Sequence, residues 1–318
     1  MSEGFASVNR RPLVILVPLL INIYLGFGAI VSFGPLYNDL SGWLTRMVTA
    51  QTAPAGQADT SGQVTDLLAA AGRLDMRAGL AIVNAIPLLP ALRQAPALDA
   101  VDGARAIPAA AGVMWVNSPL LVVGIILLIN LLTLPLSALF LIQIGSAISR
   151  SAPLRGWGSA IGRVMLSFLG FWLILLSATL VIGLPMLLLA GILLTLSAAL
   201  SALVRLVFIT AVFAAQLVLA FAVESIVLDG HGPIRAIVAS YRLVRSQPLP
   251  TLLFLALVAF IIPRGFEFVW QTLGASTAGL IGAVVGSSYI GSGIAAARMI
   301  FYREQSRIVN LAPQRNIS

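Results

Sequence analysis

The chain of 318 residues has no cysteine, no lysine, a single histidine, and only 9% charged residues. Each scarcity removes a class of chemistry. Without cysteine there is no disulfide, no thiolate metal site and no cysteine nucleophile, and the redox compartment cannot be read. With His231 as its only imidazole, the chain has no His/Cys cluster to build a zinc site. Nor can it hold an array of His-ligated haem or pigment within its own spans, because His231 sits in a polar turn. No cofactor or bound metal is expected. All nineteen basic residues are arginine, against eleven acids. Guanidinium forks suit phosphate or carboxylate recognition, but a GC-rich codon bias that also enriches Ala, Gly and Pro is the plainer account. The net charge of +8 does not point to nucleic acid, since basic residues in a membrane chain mark its cytoplasmic side.

What is abundant is apolar: 59% of residues are hydrophobic, whereas a soluble domain carries roughly a quarter charged residues. A spanning helix needs about 20 apolar residues. The first candidate follows Arg10 and Arg11 and runs over 12–33. "NRRPL" resembles a twin-arginine signal, but the apolar run is long for a signal peptide and lacks a small-residue cleavage site, so an uncleaved anchor is expected. Further spans are expected at 119–148, twice within 164–223, at 249–273 and at 275–301. The pair within 164–223 divides near Gly183-Leu184-Pro185 or near 197–201.

The arginines test this count of six. With the N-terminus inside, the short inner segments collect Arg10, Arg11, Arg150, Arg155, Arg163, Arg235, Arg242, Arg245, Arg298, Arg303, Arg307 and Arg315. Short inner loops are expected to be positive. The expectation is an all-α, polytopic integral membrane protein of the cytoplasmic (inner) membrane, with six transmembrane helices and both ends in the cytoplasm. Its parts are an N-terminus with the first span (1–33), an extracytoplasmic helical segment (34–117), a five-helix bundle (118–303) and a cytoplasmic tail (304–318). In the outer segment Leu36, Leu40, Trp43, Leu44, Met47 and Val48 form an interfacial stripe, and "VTDLLAAAGRLDMRAGLAIV" is helix-prone. A docking surface and a lid over the helix ends are equally good readings of it.

The polar stretch "AVESIVLDGHGPIRAIVASYRLVRSQP" separates two apolar runs. Glu224 and Asp229 end one helix, Gly230 to Pro233 turns the chain, and Pro233 opens the next helix, where its missing N–H is not needed. Over 233–246, Ile234, Ile237, Val238, Tyr241 and Val244 share a face from which Arg235, Arg242 and Arg245 are offset. This predicts a basic amphipathic helix on the inner leaflet, its arginines near anionic lipid headgroups. A phosphate or headgroup site around His231 is the sharper alternative to a plain connector.

Ionisable groups within the bilayer are costly and therefore candidate functional residues. Arg264 and Glu267 lie three residues apart on one helix, where a transport path or lipid contact could use them; an arginine snorkelling outwards beside a neutralising Glu267 is the plainer account. Arg205 needs a partner only if its helix begins well before Ser201. Asn130, Gln143 and Gln216 are expected to hydrogen-bond between helices. In the last span Gly279, Gly282, Gly286 and Gly293 form a strip for close helix packing, within the chain or against a partner helix.

The segment with Glu224, Gly232 and the run from Ala236 through Ser240 and Leu243 to Arg245 resembles bacterial six-helix membrane families. These include the membrane domain associated with glycerophosphodiester phosphodiesterases and its uncharacterised relatives. The resemblance covers residues 119–303 and implies a six-helix membrane fold. It carries no enzymatic activity over, since the phosphodiesterase domain with its metal-binding acids and histidines is absent. No Gly-x-Ser-x-Gly elbow, phosphate loop or His/acid cluster is present, so an enzyme is not expected. The expected function is a non-enzymatic accessory or scaffold subunit of a membrane complex. The alternative is a transporter or lipid-handling protein using Arg264, Glu267 and the basic helix.

Overall fold

A computed structural model describes residues 2–32, 113–149, 157–183, 197–273 and 276–311, with scattered positions in 34–46 and 185–193 and the single residues Arg77 and Ile86. The expected helices of the outer segment lie largely outside the described residues. Among the described residues the protein is all-α except for one pair of three-residue strands.

Helix α1 spans Ser2–Arg10, with Glu3 in its first turn and Arg10 in its last, charges that complement the helix dipole at both ends. A tighter turn, Pro12–Ile15, leads into α2, Leu16–Phe27. Gly28 closes α2 by donating its N–H to the Tyr24 carbonyl at 2.8 Å. Strand β1, Ile30–Ser32, then pairs in parallel with β2, Val113–Trp115, with Ile30 opposite Val113. The ladder brings residues 30–32 and 113–115, some eighty positions apart, side by side.

Helix α3 is Pro119–Ser149, opened by a proline whose lost N–H would have had no partner there. Helix α4, Trp157–Ala178, runs into a wider turn at Thr179–Gly183, and α5 begins at Ala198 and ends at Leu219. Helix α5 thus begins at the later of the two dividing points expected from sequence. Helices α6 (Ala222–Leu228) and α7 (Pro233–Ser246) follow. The next apolar run is α8 (Pro248–Leu255), a wide turn (Ala256–Ile261) and α9 (Ile262–Leu273). The last helix, α10, covers Thr277–Leu311.

Among the described residues four helices are long and apolar enough to cross a membrane: Leu120–Ile148, Gly158–Gly183, Ala199–Leu228 and Thr277–Ile308. Ser2–Arg10 with Pro12–Phe27 makes a fifth if that bent pair counts as one span. The run expected as a span at 249–273 is helical from end to end, with a wide turn at Ala256–Ile261; the apolar helix counted within it among the described residues is Pro248–Val258. The chain therefore reads as a membrane protein with four or five such helices.

Two compact units divide it. One holds Met1–Val14, Leu134–Arg264 and Ser292–Ser318; the other holds Ile15–Thr133 and Gly265–Gly291. In the second unit Trp270, Leu280, Ala283 and Val284 form a core with Leu19, Phe27, Phe266 and Ile290 packed on it. Gly286 lets the Trp270 ring sit against α10, since a Cβ there would lie 2.5 Å from the ring. Asn22, fully buried, donates to Ser288 Oγ at 2.9 Å and tethers α2 to α10 by the kind of hydrogen bond that holds helices together in lipid. Arg77, also fully buried, donates to the Tyr24 carbonyl at 2.8 Å and lies 5.4 Å from the Tyr24 ring centroid. A cation at the C-terminal end of α2 is favoured by the helix dipole.

In the first unit Phe221, Leu243, Leu255 and Tyr302 form a core. Phe254 and Phe301 stack beside it with ring centroids 4.1 Å apart. Gly4 of α1 fits against the Gly293 carbonyl of α10, 2.7 Å from where a Cβ would stand, and Phe5 covers Gly293.

Candidate functional site

The polar stretch between α5 and α7 assembles a layer of paired side chains in the first unit. Its origin is local. Helix α5 stops at Leu219, and Phe221 takes a non-helical conformation before α6 resumes. A helix break leaves carbonyls and N–H groups without intrahelical partners. Here two side chains from elsewhere take them: Arg298 Nη2 donates to the Ala220 carbonyl at 2.5 Å, and the Phe221 N–H donates to Ser240 Oγ at 3.0 Å.

Arg298 also donates through Nε to Glu224 Oε1 at 2.7 Å, with side-chain exposures of 32% for Arg298 and 5% for Glu224. A carboxylate this buried needs its cation. One turn further along α10, Tyr302 donates its hydroxyl to Asp229 Oδ2. Ser225 Oγ and His231 Nδ1 are hydrogen-bonded at 2.8 Å, their donor and acceptor roles following the imidazole tautomer. Asp229 Oδ2 lies 3.8 Å from that same nitrogen. A serine nucleophile relay needs serine and acid on opposite ring nitrogens; both partners on Nδ1 is a different arrangement. Gly230, at φ +67°, makes the reversal that brings His231 back over Ser225, a conformation glycine adopts without a Cβ penalty. The same layer continues elsewhere in the unit: Arg11 Nη1 donates to Ser146 Oγ at 2.9 Å and Arg303 Nη1 to the Ile148 carbonyl at 3.2 Å, both near the end of α3.

Helix α7 rests on this layer. It contacts α4, α5 and α6, with Ala236, Ser240 and Leu243 buried. Gly170 of α4 accommodates Pro233, whose ring carbon lies 3.0 Å from a would-be Cβ. The expected apolar face differs from this. Ile234, Val238 and Tyr241 are exposed, and the packed side turns instead on small residues and one leucine. Periodicity could not separate these faces, because α7 carries apolar residues around most of its circumference. Arg235, Arg242 and Arg245 are all exposed.

The other candidate residues scatter. Arg264 and Glu267 lie on the backbone of α9, but their side chains, and so their expected pairing, are outside the described residues. Gly286 and Gly293 meet Trp270 and Phe5. A Cβ on Gly279 would clash with the Leu273 carbonyl, while one on Gly282 would meet nothing within 4 Å. Arg205 is exposed near the start of α5, with Nε 3.4 Å from the Ser201 carbonyl. The polar residues expected between helices behave otherwise. Asn130 donates to its own helix at the Ile126 carbonyl, 2.8 Å away, and Gln216 is exposed. The Gln143 side-chain oxygen is buried with no hydrogen-bond partner among the described residues. A short polar side chain such as asparagine can bond a carbonyl of its own helix one turn back.

Sequence reasoning missed the partners Arg298, Tyr302 and Ser240, and also Asn22 and Arg77. Arg298 and Tyr302, four apart, share a face of α10, which was the available signal. Among the described residues no group of three or more His, Cys, Asp or Glu could hold a metal ion. No known protein-family model matches this chain, and no curated protein or solved structure matches it either.

Proposed function

We propose that this protein is a non-enzymatic integral membrane protein that acts as an accessory or scaffold subunit of a membrane complex. One observation carries the reading. The apolar helices Gly158–Gly183 and Ala199–Leu228 bury only 6% and 11% of their spanning windows within the chain, against 39% and 50% for Leu120–Ile148 and Thr277–Ile308. Two long apolar helices with few buried residues in those windows offer walls to lipid or to the helices of a partner. The polar groups around α6 support the same reading, because they hold backbone and one another instead of lining an open cleft.

In this proposal the chain lies in the cytoplasmic membrane with six spans and both termini in the cytoplasm, Pro12–Phe27 and the 248–273 run completing the set. The likeness of 119–303 to the six-helix families belongs with it. A second reading, a transporter or lipid-handling protein using Arg264, Glu267 and the basic helix, draws on the exposure of Arg235, Arg242 and Arg245.

The test combines native mass spectrometry of the chain from its source membrane with crosslinking at Leu166, which is 69% exposed on α4. Because the chain lacks cysteine, Leu166→Cys gives a unique thiol. A protein of fixed mass in stoichiometric amount, crosslinked from that position, is the expected result. A lone chain whose Leu166→Cys thiol is reached only by lipid-borne reagents would reject the subunit reading.

A further inference from the structure

We propose that the exposed face of α7 lies on the anionic headgroups of the adjoining bilayer leaflet, as a surface contact of fixed orientation. The helix has two opposed sides. At about 100° per residue, Ala236, Ser240 and Leu243 cluster on one, and all three are buried. On the other, Ile234, Val238 and Tyr241 follow the spacing of a helical row and are 68%, 41% and 44% exposed. Exposed Arg235, Arg242 and Arg245 share that side.

Connectivity sets the depth. Four residues separate α7 from the apolar span ending at Leu228, and one residue separates it from the apolar helix beginning at Pro248. It therefore sits where hydrocarbon gives way to water. A row of two aliphatic residues and a tyrosine is too short to enter the hydrocarbon alone, but suits the headgroup boundary, where arginines reach outwards to phosphate. Charge selects the occupant. Residues 233–246 contain no acid; of the acids just before them in sequence, Glu224 is paired with Arg298 and Asp229 accepts a hydrogen bond from the neutral Tyr302 hydroxyl, so the arginines of the helix outnumber the unpaired carboxylate. Arg163 adds a fourth guanidinium, with Cζ 3.9 Å from a would-be Cβ on Gly230.

The orientation is fixed from the buried side, since Ser240 holds the Phe221 N–H at the break between α5 and α6. The three arginines are thus presented by a helix braced on the bundle, not by a tethered loop. This inference is independent of the subunit reading: it requires a membrane-embedded chain, and holds with or without a protein partner.

The test uses the full chain in nanodiscs of phosphatidylcholine, or of phosphatidylcholine mixed with phosphatidylglycerol. A nitroxide on Val238→Cys, again a unique thiol, reports depth by its collisions with oxygen and with a water-soluble nickel chelate. In mixed discs the label should be shielded from nickel, and native mass spectrometry should show phosphatidylglycerol retained over phosphatidylcholine. Losing all three charges in R235Q/R242Q/R245Q should weaken that preference about a hundredfold, at about fivefold per arginine. The variant R235K/R242K/R245K should keep most of it. Because these side chains point away from the packed face, both variants should melt like the parent. A label equally open to nickel in both lipids, or a preference that survives the glutamine variant, would overturn the proposal. Dipolar broadening between labels would do the same by assigning the face to a second copy of the chain.

Discussion

Removing the Arg298 charge offers the sharpest test of the packed polar layer. In Arg298→Gln the Glu224 carboxylate, 5% exposed, loses the guanidinium 2.7 Å away, and the Ala220 carbonyl loses its donor. Breaking a buried pair by removing one partner costs about 3–5 kcal/mol; the partial exposure of Arg298 places this case near about 3 kcal/mol. The opposite change, Glu224→Gln, leaves Arg298 bonded to the Ala220 carbonyl and partly hydrated, so it should cost about 1 kcal/mol. Once both charges are gone no buried carboxylate is stranded. The double variant should therefore fall short of the summed costs by at least about 1 kcal/mol. Denaturant unfolding of the detergent-solubilised chain, followed by far-ultraviolet circular dichroism, reads all three values. Equal costs for the two single variants, or additivity in the double variant, would refute the claim that a buried carboxylate depends on Arg298. High salt should barely change the Arg298→Gln deficit, because a buried pair is poorly screened.

Three further outcomes follow from the packing. Gly286→Ala forces the Trp270 ring away from α10 and should lower stability by about 1–3 kcal/mol. Gly282→Ala, with nothing within 4 Å, should be neutral or gain up to about 1 kcal/mol from helix propensity, so paired thermal melts separate a packed glycine from an open one. Gly230→Ala must hold φ near +67° and should cost about 1–2 kcal/mol by the same measurement. Ser240→Ala leaves the N–H of fully buried Phe221 without its acceptor. That should cost about 1–3 kcal/mol and speed hydrogen exchange at the break between α5 and α6, whereas Ser246→Ala, at the exposed end of α7, should change neither.

The legible parts of this chain were those set by local chemistry. The long apolar runs announced α3, α4, α5 and α10. Proline marked where helices open, as at Pro119 and Pro233, whereas the first span, expected over 12–33, ends as a helix at Phe27 and passes into β1. The start of α5 at Ala198 was among the expected breaks. Helix α1 was missed, although Glu3 and Arg10 at its two ends were its signal, because nine residues with a polar surface look like an ordinary terminus. The parallel ladder of β1 and β2 was invisible for a different reason: each strand is three residues long, and its partner lies some eighty residues away in the chain.

The candidate site shows the same division. Sequence alone located the polar interruption at 222–246, marked its residues as unusual in an apolar chain, and singled out the three arginines of α7, although Arg245 shares the side of the exposed apolar row it was expected to be offset from. It could not say which groups bind Glu224 and Asp229, because Arg298 and Tyr302 are about seventy positions away and their contacts exist only once α10 lies against α6. Nor could it tell which side of α7 is buried, since that depends on Ser240 reaching the Phe221 N–H across a helix break. Composition and periodicity act through each residue's own preference for lipid or water, and that preference fixed the all-α membrane class. The pairing of buried charges is a property of two distant segments brought within about 3 Å, and only the tertiary structure decided it.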